Sequence, residues 1–133
     1  MSFETALQTA IYTRLSTYPG MPPVYDHVPQ DSKGHVLVTF PYVVLGEDTH
    51  TPWDTDDSTG AESTITLHVW SRYKGKKEAK DILDLIYSAL NRYELTVPGY
   101  NVVTLEYEYS DVLLDPDGLS RHGICRYRSL IES

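Results

Sequence analysis

Between Lys76 and Arg92 the chain writes a single narrow apolar stripe. Ala79, Ile82, Leu83, Ile86, Ala89 and Leu90 recur at three- and four-residue intervals, opposite Lys77, Lys80, Asp81, Asp84 and Asn91. A helix with one apolar face must bury it against another layer. The segments on either side read with period two instead: Ile65, Leu67 and Val69 alternate with Thr64, Thr66, His68 and Trp70, and Val103, Leu105, Tyr107 and Tyr109 alternate with Thr104, Glu106, Glu108 and Ser110. A helix between half-apolar strands calls for a sheet with helices laid on one face.

The remaining segments fit that layer. Phe3, Ala6, Leu7, Ala10, Ile11 and Leu15 carry helical spacing, with Ser2 and Thr5 as capping oxygens at its start and Tyr18-Pro19-Gly20 at its end. Val24 to Val28 reads as a short strand closed by Pro29, and Phe40 to Gly46, apolar on both faces, as a central strand with Pro41 in its first residues. Residues 47–62 turn polar and acidic and read as a long loop. Asp115-Pro116-Asp117-Gly118 is a turn, and His122 to Ile131 returns as a hairpin partner of the strand before it. The expected architecture is α+β: a mostly antiparallel sheet of four to five strands with two helices packed on one face. At 133 residues, with no repeat and no linker, residues 1–133 are expected to form a single domain.

Charge and cysteine content narrow the function. Nineteen acidic residues against eleven basic give a formal net charge of -8. The basic runs at Arg72–Lys77 and Arg126–Arg128 are short and lie among carboxylates. That balance speaks against nucleic-acid recognition, which neutralises phosphates with clustered Lys and Arg. One cysteine, Cys125, cannot form an internal disulfide, and its place between Ile124 and Arg126 indicates a buried, inert thiol. Met1 to Thr5 lacks the features of a secretory signal, and no apolar run reaches the length of a membrane span, so no membrane partner is expected. Eleven tyrosines against two Phe and two Trp suit amphipathic strands and contact surfaces.

Chemistry finds little purchase. Of the five histidines, His27 and His68 fall on strands, but no H-E-x-x-H, C-x-x-C or EF-hand spacing is present. Asp26 and His27, adjacent on a strand, would face opposite sides. The stretch Asp54, Asp56, Asp57, Gly60, Glu62 is superficially like a calcium loop, yet Glu62 follows Gly60 too closely to serve as its closing ligand. Nucleophile, phosphate-loop and dinucleotide patterns are missing too. No catalytic residue, metal ligand or cofactor is expected.

Phe3-Glu4-Thr5-Ala6-Leu7, Val24-Tyr25-Asp26-His27-Val28-Pro29, Pro41 to Gly46, Ile65 to Ser71, Gly75 with the helix to Leu90, and Gly123 to Arg128 follow one another along the chain. In that order they resemble the tail completion proteins of long-tailed bacteriophages, the family of tail terminators and tail-to-head joining proteins. The resemblance implies a structural virion protein at the tail–head junction, assembled in the bacterial host cytoplasm. It implies a homo-hexameric ring that stops tail-tube growth and docks on the head connector, with the tail tube protein and the connector as partners. No catalytic residue carries over. Another neck component, a head completion protein, is the neighbouring alternative; a small metal-dependent enzyme using His27, His68 and the acidic loop is the alternative from a different class. Six chains at -8 each would bring -48 into one ring, so self-repulsion predicts a monomer in solution at low salt. Within the acidic loop, Asp48, Trp53, Asp54, Asp56 and Asp57 are the expected partner contact, with Trp53 as anchor.

Overall fold

The computed structural model describes residues 3–133. Helix α1 (Phe3–Ser16) is followed by β1 (Val24–Tyr25), β2 (Tyr42–Pro52), β3 (Gly60–Ser71), α2 (Lys77–Leu90), β4 (Asn101–Leu114) and β5 (Arg121–Glu132). The five strands form one sheet in the order β1-β2-β3-β5-β4. The β2–β3, β3–β5 and β5–β4 pairs are antiparallel, and only the two-residue β1 runs parallel to its neighbour β2. This is the mostly antiparallel α+β sheet the period-two patterns predict. Ser2 lies outside the described residues, and Thr5 falls inside the first turn of α1.

Both helices bury the stripes written in their sequences. α1 contributes Phe3, Leu7, Ile11 and Leu15, and α2 contributes Ala79, Ile82, Ile86, Ala89 and Leu90. They join Val43, Leu45, Leu67, Val69, Cys125, Tyr127 and Ile131 from the sheet in one apolar cluster. Burial of this apolar surface is the main driving term. Arg14 locks the two helices together: its Nε donates to the Ala89 carbonyl at 2.9 Å and its guanidinium lies 3.6 Å from the centre of the Tyr93 ring. Helix α2 stops at Asn91, and Arg92 takes a left-handed φ of 59°. That reversal sends Arg92 N–H to the Leu105 carbonyl and lets Asn91 Oδ1 accept from Tyr107 N–H, so the outer edge of β4 is capped at its middle.

Three expectations need correction. The expected 47–62 loop is mostly strand: β2 continues to Pro52, β3 begins at Gly60, and residues 53–59 alone connect them. Asp48 is therefore a strand residue, in register with Ile65. Second, β1 ends at Tyr25, so Asp26 and His27 are not held on opposite faces of a strand; both line one cleft. Third, β4 does not alternate evenly. Irregularities at Val102/Thr104 and Tyr107/Tyr109 shift its parity twice. Leu105 is consequently buried, while Val103 and Tyr109 are exposed.

Candidate functional site

The helices occupy one side of the sheet, where Gly123 looks toward Leu83 of α2. The opposite side carries Thr49, Glu62, Thr64, His68 and Trp70 from β2 and β3, and His122, Ile124, Arg126 and Arg128 from β5. No described helix covers it. Its polar groups pair across strands: Thr49 and Thr64 share a hydroxyl hydrogen bond at 2.5 Å, and Arg128 Nε meets Glu62 Oε1 at 2.8 Å. The Arg126 guanidinium sits 5.5 Å from the Tyr109 ring centre and 4.0 Å from Glu108. Exposed pairs of this kind contribute little stability, but they fix side chains that a partner would meet.

At one end of this face lies an open cleft of about 920 Å³ walled by Phe40, Tyr42 and Trp70, with His27 and Asp26 on its rim. Arg72 stacks over Phe40 at 4.2 Å and donates from Nε to Ser120 Oγ at 3.4 Å. Ser120 belongs to a turn organised by Asp117, whose carboxylate accepts from the backbone N–H groups of Ser120 and Leu119, each at 2.8 Å. Those hydrogen bonds hold the Asp117 carboxyl below the usual range.

At the other end, the β2–β3 connection is a tied turn. Trp53 N–H donates to the Gly60 carbonyl at 2.9 Å, Asp54 Oδ1 accepts from Gly60 N–H at 3.0 Å, and Thr55 N–H reaches the Ser58 carbonyl at 2.9 Å. Trp53 is half-buried, Asp54, Asp56 and Asp57 are exposed, and Asp57 accepts from the Thr55 hydroxyl. Trp53, Asp54, Asp56 and Asp57 thus come together at the tip. Asp48 does not join them: five residues down β2, it binds His50 Nε2 at 3.0 Å, and His50 also contacts Ser63 Oγ and the Phe3 ring.

His27 and His68 are not brought into one site. His68 instead contacts Glu47 and His122, while His27 borders the cleft. The His68–His122 approach had no local signal, because it depends on pairing between β3 and β5, 54 residues apart. Cys125 is fully buried, and desolvation pushes its thiol up to about 12. Among the described residues no helix is long and apolar enough to cross a membrane.

Comparison with known proteins places this architecture. A family model described as "Tail completion protein gp17" matches residues 9–132. The tail completion protein gp17 of Bacillus phage SPP1 is 32% identical over 128 residues, covering 96% of this chain and 93% of that protein. The solved structure of SPP1 gp17 superposes with a TM-score of 0.63 at 28% identity, over 97% of this chain and 91% of that one. A chain in the virion of a native gene transfer agent particle shares the fold more closely, with a TM-score of 0.86 at 21% identity over 98% and 97% of the two chains. A family model spanning nearly the whole chain and a relative this similar over nearly its whole length lead to one conclusion: the chain belongs to the gp17 tail completion protein family.

Proposed function

We propose that this protein is a ring-forming subunit of the tail–head junction of a virion, ending growth of the tail tube and docking the finished tail on the head connector. The observation that carries this reading is the full-length match to SPP1 gp17. The geometry agrees with it. A sheet with helices on one side and ordered polar side chains, paired across strands, on the other offers two unlike surfaces, which a subunit that contacts its own copies and two different neighbours requires. In this reading the chain forms a homo-hexamer, meets the tail tube protein on one rim of the ring and the connector on the other, and assembles in the bacterial cytoplasm. It works through contacts, with no cofactor and no catalytic residue.

The tip of the β2–β3 hairpin serves as the partner contact in this reading. Trp53, Asp54, Asp56 and Asp57 sit on a turn tied by backbone and Asp54 hydrogen bonds, so docking there would cost little ordering entropy. Asp48 supports the same strand from its pairing with His50.

Electron microscopy of particles made without this protein tests the proposal. Overlong tails lacking heads are expected for a terminator. Normal-length tails beside filled heads would reassign it as a joining or head completion component, and intact virions would overturn the junction role.

A further inference from the structure

On the uncovered sheet face, two imidazoles and a carboxylate form a continuous hydrogen-bonded chain that ring assembly does not by itself require. His68 Nε2 lies 2.6 Å from Glu47 Oε1, and His68 Nδ1 lies 2.7 Å from His122 Nε2. The His122 ring stacks on Trp70 with centroids 4.1 Å apart and planes 8° from parallel. Register explains the meeting: β3 and β5 set Trp70 opposite His122 and His68 opposite Ile124. Glu47 is delivered by the irregularity in β2 between Leu45 and Asp48. The neighbouring Gly46 leaves the room, since a Cβ there would stand 2.5 Å from the His68 ring and 2.9 Å from the Thr66 carbonyl oxygen.

Proton bookkeeping along this chain has only three states. A carboxylate can only accept, so His68 Nε2 carries a hydrogen whenever Glu47 is ionised. In the neutral pair, His68 Nδ1 is then an acceptor and His122 Nε2 donates to it. A first added proton fits with the shared hydrogen on either ring: His122 Nε2–H donates to His68 Nδ1, or His68 Nδ1–H donates to His122 Nε2 while the remaining hydrogen of His122 sits on Nδ1. Every hydrogen bond survives, and the cation gains Glu47 as an ion partner. A second proton puts two cationic donors 2.7 Å apart with no lone pair between them, and the bond cannot exist.

We propose that Glu47, His68 and His122 form a proton-limited latch across β2, β3 and β5, closed with none or one added proton and opened by the second. The charged groups around it act in opposing directions. Asp115, from the turn after β4, and Glu47 favour a cation at His122, whereas burial and His68 oppose it, and the balance holds His122 below its ordinary range. Arg126 on β5 and the His68 hydrogen bond help to keep Glu47 ionised. Asp111, across from Ile124 on β4, and Arg72, over Phe40, stand further along the face. No group of either helix is hydrogen-bonded to the chain. Opening would release the β2 irregularity and unstack Trp70, changing the shape of this face while the core on the other side stays packed.

Long-range proton–nitrogen NMR of the full chain, titrated from about pH 8 to about pH 4.5, tests the latch site by site. The first proton taken up by the pair is expected to leave both hydrogen bonds intact, and the second to enter only at a proton concentration at least about tenfold higher. Trp70 fluorescence should change with the second step and not the first. Replacing His68 by Ala should raise the proton affinity of His122 at least about threefold. Both protons entering in one step, loss of either hydrogen bond at the first step, or a His122 titration unmoved by the replacement of His68 would overturn the proposal. If that variant fails to fold, the separation of the two proton steps in the unmodified protein decides alone.

Discussion

Among the described residues, Tyr127 is the largest fully buried side chain of the sheet, 1% exposed, and its phenolic oxygen meets no hydrogen-bond partner. Its ring packs edge-on against Tyr107 at 5.8 Å, and Tyr107 in turn against Tyr87 at 5.5 Å. Burial, with Cys125, Tyr107 and Tyr87 close by, pushes the phenol far above its ordinary range. An unpaired buried hydroxyl costs about 1–3 kcal/mol, whereas Phe keeps the ring and its contacts. Against that gain stand the contacts of one lost oxygen atom, about 0.1–0.2 kcal/mol each, and a void too small for water. The net expectation for Tyr127→Phe is stabilisation by about 1 kcal/mol. With an unfolding entropy of ~2.1 cal/mol/K per residue, a chain of this length gains about 3–4 °C in Tm. Calorimetry and urea unfolding with an unchanged slope would measure it. A Tm lowered by about 2 °C or more would show that the hydroxyl has a partner after all and refute the reasoning.

Arg14→Ala removes the hydrogen bond to Ala89 and the stack on Tyr93, and should cost about 1–2 kcal/mol in urea unfolding; an unchanged midpoint would show that α1 docks without it. Cys125 should resist maleimide in the native protein at about pH 8 and react only on unfolding, because its thiolate is suppressed and buried. Stability should fall with acidity in two stages. The unfolded chain takes up a proton at His122 below about pH 6.5 before the folded one does. Below about pH 4.5, the lowered Glu47, Asp31 and Asp117 carboxyls add a steeper loss as pH drops through their folded values. Urea midpoints across that range would trace both stages, and a flat profile from neutral pH to about pH 5 would remove the first. Light scattering at micromolar concentration should find a monomer at low salt, with larger species only on screening; a stable hexamer at low salt would refute the repulsion argument.

The sequence was most legible where one face of an element is buried. The stripes of α1 and α2 and the alternation of β3 were readable because a single neighbour, the core, imposes them. The second half of β2 was not: Thr49 and Thr51 look into solvent, and beyond Val44 β3 is the strand's one partner among the described residues. Polarity on both sides there is indistinguishable from a loop. In β4 the pattern was present but misleading, since each irregularity inserts one residue and exchanges the faces after it. The expected contact residues shared that fate. Trp53, Asp54, Asp56 and Asp57 cluster because they sit on one short turn, but Asp48 was separated from them by strand that the composition concealed. The imidazole pair could not be foreseen from spacing, because a bond across strands distant in sequence leaves no local trace.

The cap on β4 has a consequence for how copies of this protein can join. A fourteen-residue outer strand is a ready template on which like chains add without limit, each new edge presenting the same valences to the next. Here two of those valences, at Leu105 and Tyr107, are already occupied by Arg92 and Asn91. Two inserted residues put the rest out of step with any regular incoming strand. Addition of a further strand at the β4 edge is thereby obstructed at the middle of the strand.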